Sequence, residues 1–279
     1  MERVLQTAVL AAAMVLVLVV GRAVFGAICR WEGYRLNEET VKRDNPALGI
    51  RYGLFLFAII LSFAGVVEPS KADLWLELGA IARYSLAVII ALVVSRYIND
   101  HLILYGFDNN REVIQNRNTA VATVEGATYL ATAFVISGSI TGLSDDATLA
   151  VLWFLIGQAL LIILSLIYRR VIPGIFEALA NRNQACAFSF SGLLVSSGMA
   201  LGVAVSGQSH GWLNDASAVA SYLGGWLVFM VVAHVIADRI MLPAARLREE
   251  VMKEGNLVAG IIEGVVFVSI TLLYGYLAG

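Results

Sequence analysis

The stretch Glu112-Val-Ile-Gln-Asn-Arg-Asn118-Thr-Ala-Val-Ala122-Thr-Val-Glu-Gly126 leads from a charged loop straight into an apolar run, and its plan occurs four times. A Glu stands six residues before an Asn at Glu39/Asn45, Glu112/Asn118, Glu177/Asn183 and Glu250/Asn256. Small residues follow the Asn at plus four and plus eight: Gly49/Gly53, Ala122/Gly126, Ala187/Ser191 and Gly260/Gly264. Asn45 to Asn118 and Asn183 to Asn256 are each 73 positions, with 65 between Asn118 and Asn183, so the two halves are offset by 138. A unit was duplicated, and the pair was duplicated again.

With 279 residues, 59% hydrophobic and 14% charged, and a mean hydropathy of +0.80, the chain is not an ordinary soluble domain. A formal charge of −2 gives no argument for nucleic-acid binding. Cys29 and Cys186, the only cysteines, read as reduced structural thiols near cytoplasmic helix ends. No His, Cys or carboxylate cluster has metal-ligand spacing, and no phosphate- or dinucleotide-binding glycine motif or nucleophile motif appears. The expectation is a protein without catalysis, cofactor or metal.

Eight apolar runs are long enough for a bilayer, which takes roughly 20 residues. They lie near 4–29, 46–67, 80–99, 119–141, 147–168, 184–206, 217–241 and 257–278. The first is too long for a signal peptide, and its start carries Glu2 beside Arg3, so it is expected to be retained. The expected fold is an all-α membrane protein, a single polytopic domain over 1–279. Four tandem hairpins, about 4–67, 80–141, 147–206 and 217–278, make up its eight transmembrane helices. Sixteen of the nineteen Lys and Arg flank the turns inside these hairpins, against Arg3, Lys71 and Arg83 elsewhere. Basic residues mark the cytoplasmic side, so both termini are expected outside. The outer loops are short, with Asp145, Asp146 and Asp215.

Each Asn suits the N-cap of the incoming transmembrane helix, where its side chain accepts from the first free amides. Asn45-Pro46 is the clearest case, because Pro at the first helical position loses no hydrogen bond. The repeat Glu is expected to pair with Arg or Lys of a neighbouring inner segment. The small pairs lie on one helix face and let backbones approach closely in lipid, which predicts tight packing of the even-numbered helices.

Two acids fall inside the membrane. Glu125 and Glu263 are each seven residues beyond their Asn, roughly 10 Å into the helix at 1.5 Å per residue. The equivalent positions in the other repeats are Tyr52 and Phe190. His234 lies at about the depth of Glu263 in the same hairpin, and its counterpart 138 residues earlier is Arg96, which shares a hairpin with Glu125. Arg51 adds a third cation. An intramembrane carboxylate is costly enough to mark a functional site, and a His beside one can titrate near neutral pH. Glu125, Glu263, His234, Arg96 and Arg51 are therefore the candidate ion or proton pathway. The competing reading is structural ion pairs that lock hairpins together, with the arginines snorkelling to the interface. Gln158, Ser189, Ser191 and Thr128 could add hydrogen bonds, although such groups often serve packing alone.

The hairpin whose second helix follows Glu39–Asn45-Pro-Ala-Leu-Gly49, Glu112–Asn118-Thr-Ala-Val-Ala122, Glu177–Asn183-Gln-Ala-Cys-Ala187 and Glu250–Asn256-Leu-Val-Ala-Gly260 resembles the YjfL-like family, a domain of unknown function (number 350). Val258 departs from the Ala found in the other three repeats. The resemblance implies a multi-pass protein of the bacterial inner membrane and brings no activity with it. Repeats with two crossings each are parallel and suit a central pathway along the membrane normal. The leading reading is a small cation or proton channel or transporter. The alternative is a non-transporting scaffold or anchor for a partner protein. Besides the bilayer, a second copy or a cytoplasmic protein is the partner to consider. Facing acids across water would favour transport, whereas separate, satisfied acids would favour the scaffold.

Overall fold

The computed structural model describes residues 2–65, 74–141, 147–242 and 246–278, the side chains from residue 4 onward. Lys71, Asp145, Asp146 and the last two residues of the second expected span lie outside the described residues, as does the side chain of Arg3. All regular structure among the described residues is helical. The eight long helices are α1 (Glu2–Trp31), α2 (Pro46–Ser62), α3 (Leu74–Leu102), α4 (Thr119–Ile140), α5 (Ala147–Val171), α6 (Gln184–Ala204), α7 (Trp212–Val235) and α8 (Leu257–Ala278). Each is long and apolar enough to cross a membrane, α2 and α7 with short helical extensions to Gly65 and Met241. Helices α3 and α7 start at Leu74 and Trp212, earlier than the hydrophobic runs indicate. Their hydrogen-bonded backbone continues through Glu77 and Asp215 rather than stopping where the apolar residues do.

Between the helices of each hairpin lies a linking segment with one short helical piece. It is a π-helical turn at Glu38–Lys42 and Arg111–Gln115, and a short α-helix at Ile175–Ala180 and Leu247–Met252. The Asn that follows caps the next helix in all four repeats. Asn45 Oδ1 accepts from the amides of Ala47 (3.1 Å) and Leu48 (3.3 Å), and Asn118 Oδ1 from Ala120 and Val121 at the same distances. Asn183 accepts from Cys186 (2.9 Å), and Asn256 from Val258 (3.1 Å) and Ala259 (3.3 Å).

The residue before each cap is left-handed, at Asp44 (φ 47°), Arg117 (50°), Arg182 (61°) and Gly255 (63°). Only one of the four is Gly; Asp44 tolerates this backbone, but Arg117 and Arg182 hold a conformation that ordinary side chains avoid. The helical piece before it and the Asn-capped helix after it over-determine that kink.

The repeat acids behave differently from the expectation of cross-segment ion pairs. Glu112 and Glu250 each accept from the side-chain amide of their own Asn, Asn118 (3.0 Å) and Asn256 (2.8 Å), while Glu39 pairs with Arg43 in its own segment (2.8 Å). The six-residue spacing brings Glu back over the Asn across the left-handed kink, and the nearby amide wins over a distant cation. Glu177 lies in the short α-helix of the third repeat and accepts through its backbone carbonyl from the amide of Asn181 (3.0 Å).

Packing follows the small residues. Helices α2, α4, α6 and α8 form a row in that order, each packed along the next, with the odd-numbered helices flanking it. In their most apolar stretches 78% of α4 and 83% of α6 is buried, against 17% to 28% for the odd-numbered helices, which carry exposed Val and Leu side chains on their outer faces. Ala122 and Ala187 are fully buried and Ser191 nearly so. Gly260 lies against the backbone of Ala185, Gly264 against that of Phe188 and Gly192, and Gly126 against the Leu54 side chain. Gly49 and Gly53 are a correction: they face open space, because α2 stands at one end of the row. The row also corrects the expected central pathway, since α2 and α8 lie at opposite ends and do not close around an axis.

The two halves meet where α4 crosses α6, Gly138 on Gly202 and Gly198 on Ala131, backbone to backbone. A buried polar triangle ties α3, α4 and α5 together at the same junction. Gln158 Nε2 donates to Asn99 Oδ1 (2.6 Å), Asn99 Nδ2 to Thr132 Oγ1 (3.3 Å), and Thr132 to Gln158 Oε1 (3.1 Å). Each member satisfies another, which is the condition for burying polar groups without penalty.

Candidate functional site

Position 125 is the second turn of α4, and the cap at Asn118 fixes how deep it lies. Its carboxylate is fully buried between two guanidiniums. Oε2 accepts from Arg51 Nε (2.7 Å), and Oε1 accepts from the Tyr129 hydroxyl one turn on and lies 3.5 Å from Arg96 Nε. Arg51 spends its other donors on Asn110 Oδ1 (2.8 Å), the Asn109 carbonyl (3.1 Å) and the Tyr34 hydroxyl (3.4 Å). Arg96 reaches Glu32 (3.0 Å) and lies over the faces of Phe25 and Tyr97. Burial holds the Tyr34 phenol above its ordinary range, so it stays protonated beside Arg51. Neither arginine snorkels: Arg51 is wholly buried and Arg96 almost so. The linking segment 109–110 closes this cluster from the capped end, and helix α1 packs along α3 beside it.

Glu263 sits 138 residues on, and its partners are the counterparts of Arg51 and Arg96. Ser189 donates to Oε2 (2.6 Å), and His234 Nδ1 lies 3.2 Å from Oε1. The spacings repeat, 74 residues from Arg51 to Glu125 and from Ser189 to Glu263. Tyr168 reaches the Ser189 hydroxyl (3.3 Å). The surroundings differ. Helices α5 and α7 meet at the ends away from the caps, where Trp153 stacks on Trp212 (ring centroids 5.5 Å) and packs with Val219, while nearer the capped end a cavity of about 410 Å³ opens between them. Tyr168, Cys186, Trp226, Met230 and Phe267 line it with Glu263 and His234. Phe25 is fully buried in the first half, while Ile163, its counterpart, is exposed. The His234 side chain is 49% exposed, whereas Glu263 is 4% exposed beneath it.

The five candidate pathway residues therefore form two separate clusters: Arg51, Arg96 and Glu125 in one, His234 and Glu263 in the other. The two acids do not face each other, and all four carboxylate oxygens have partners. Of the accessory hydroxyls, Ser189 is a true partner of Glu263, while Thr128 only returns to its own helix at the Glu125 carbonyl (2.7 Å). Ser191 is buried without a hydrogen-bond partner among the described residues. Tyr129, Asn110 and Glu32 had no place in the sequence reading. Tyr129 was signalled by its spacing of one helical turn from Glu125, and the others lie in loops whose reach the sequence does not give.

A family model described as Domain of Unknown Function (DUF350) matches residues 1–140 and again 142–277, one match for each half. No curated protein and no solved structure matches.

Proposed function

Starting from a chain that belongs to the DUF350 family through both of its halves, we propose an inner-membrane protein whose halves have different tasks. The N-terminal half is a non-transporting scaffold. The C-terminal half binds, without catalysis, an amphipathic molecule with a cationic head. The carrying observation is the cavity on Glu263 and His234, set beside a counterpart at Glu125 that is sealed by two arginines. Apolar and aromatic walls favour an apolar body, and one buried carboxylate at the end gives a cation its orientation. Ser189 and His234 stand where the guanidiniums stand in the first half, and although Arg248 also lines the cavity, no ion pair joins it to Glu263 among the described residues.

One observation favours a second reading, proton or cation passage: His234 is half exposed and its Nδ1 lies 3.2 Å from the buried Glu263 carboxylate, so the ring links the surface to that acid. Against a continuous pore, Trp226 is buried and donates to Thr271 (2.9 Å) toward the far end of the cavity, and Tyr274 donates to the Tyr222 carbonyl (2.9 Å). Binding is measured by titrating tetraphenylphosphonium, a hydrophobic cation, into nanodisc-embedded protein. Wild type is expected to bind saturably, and Glu263→Gln to bind at least tenfold more weakly, about 1.4 kcal/mol. Equal binding by both, or none by wild type, overturns the site. Proton flux in liposomes that disappears in Glu263→Gln would establish the second reading.

The orientation is part of the proposal. The Asn-capped, basic end is cytoplasmic and both termini are outside. A reporter fused after Gly279 that is active only in the cytoplasm would contradict it.

A further inference from the structure

The four repeats are clipped to one another by one contact with one direction. Asn45 Nδ2 donates to the Val113 carbonyl of the second repeat (3.0 Å), Asn118 to Leu179 of the third (2.9 Å), and Asn183 to Val251 of the fourth (2.8 Å). Each donor is the cap Asn of one repeat, and each acceptor lies in the linking segment of the next. Asn256 has no following repeat. Its amide reaches only its own Glu250 among the described residues, whereas Asn118 serves both its own Glu and the next carbonyl.

Helix packing has the same direction. Positions four and eight after an Asn insert against positions two, five and nine after the previous one. Gly260 meets Ala185, Gly264 meets Phe188 and Gly192, and Gly126 meets Leu54. At the two ends of the row each half of this interface is left without its other half. The inserting positions on α2 are Gly49 and Gly53, where an added Cβ would meet nothing within 4 Å. The receiving positions on α8 are Val258, Ile261 and Val265, exposed by 63%, 39% and 57%.

Exposed apolar residues alone say nothing in a bilayer, because lipid covers them at no cost. Two glycines in register are different: they leave a groove along the backbone that lipid tails fill poorly and a helix fills well. The groove and the surface that fits it are on the same chain, at opposite ends, in the register already used inside the chain.

We propose that a second copy of this chain binds head to tail, α2 of one copy on α8 of the other. The free amide hydrogen of Asn256 then reaches the carbonyl of the neighbouring copy's Thr40, which follows Glu39 as Val113 follows Glu112 and Val251 follows Glu250. The contact is heterologous, using different surfaces on the two copies, and it is self-limiting when the row closes into a ring.

The test uses the full chain in native membranes, with two differently tagged forms co-expressed, one carrying Gly53→Cys and the other Val265→Cys. These positions correspond to the observed pair Gly126 and Leu54. Oxidation is expected to link the unlike forms and not to link either form to itself. In nanodiscs, Gly49→Leu/Gly53→Leu is expected to run as a monomer where wild type is oligomeric. It should still fold and melt cooperatively as a monomer, because both glycines face open space within one chain, and any fall in melting temperature then reports the lost subunit contact. A monomeric wild type, a link between like positions, or capture of a different protein at Val265→Cys each overturns the proposal.

Discussion

Glu125→Gln is expected to cost about 3–5 kcal/mol and to leave little folded protein. The carboxylate is the shared partner of Arg51 and Arg96, and all three are cut off from water. Gln preserves shape and can accept from Arg51, but two guanidiniums then remain in the bundle with one fewer counter-charge. The cost comes from the stranded cations rather than from the lost hydrogen bond, which on its own is about 1 kcal/mol. Glu263→Gln makes the comparison. Ser189 and His234 can both stay hydrogen-bonded to an amide, no permanent cation is stranded, and His234 is open to the surface. Its loss should stay within about 1.5 kcal/mol. Thermal melting of both variants in one detergent checks the contrast, and equal losses would show that the halves are not different in kind.

The second large effect is Gly264→Leu, expected to cost about 3 kcal/mol or more, at or beyond the upper end of ordinary overpacking. A Cβ at Gly264 would come within 2.6 Å of the Phe188 carbonyl oxygen, and Gly192 lies beside it, so the obstacles are backbone atoms of α6 that cannot rotate away. Helix α8 would have to move off α6 as a body. Gly126→Leu tests the same register against a softer wall, because there the obstacle is the Leu54 side chain: its Cδ1 can rotate away, while its Cβ, 2.9 Å from the added Cβ, needs a small shift of the helices. Its cost should be the smaller, about 1–3 kcal/mol. Yield and melting temperature measured together decide it; a Gly264→Leu protein that melts like wild type, or a Gly126→Leu protein that is worse, would refute the close approach of α6 and α8.

Most of the architecture was legible because it is repeated. One Asn before an apolar run is weak evidence of a cap, but four at a fixed distance from a Glu could be read together, and all four cap. The 138-residue offset also led from Glu125 to Glu263 and from Arg96 to His234. Ser189 is the counterpart of Arg51 by the same arithmetic, but in sequence it stands only among several groups that could add hydrogen bonds, because a hydroxyl in a membrane helix carries no signal of its own. Three features were not legible for physical reasons. The left-handed residues before the caps include Arg117 and Arg182, whose side chains do not favour that backbone, so only the flanking helices impose it. Glu112 and Glu250 turn to their own Asn because of that kink. Gly49 and Gly53 look the same in sequence as Gly260 and Gly264, and only the order of helices in the row decides which pair is covered. The separation of the two acids is a consequence of the same row, since α4 and α8 have α6 between them.

The forward direction of the Asn clips has a consequence for biosynthesis. A ribosome delivers the N-terminus first, so each donor is made before its acceptor exists. Asn45 is in the membrane with its helix started before Val113 is polymerised, and Asn118 and Asn183 stand in the same relation to Leu179 and Val251. Each new hairpin therefore meets a waiting amide on the one before it and needs no residue that has yet to be translated. With contacts confined to neighbouring units, insertion can proceed as a ratchet, one hairpin locking behind the last. The order of synthesis and the order of assembly are then the same.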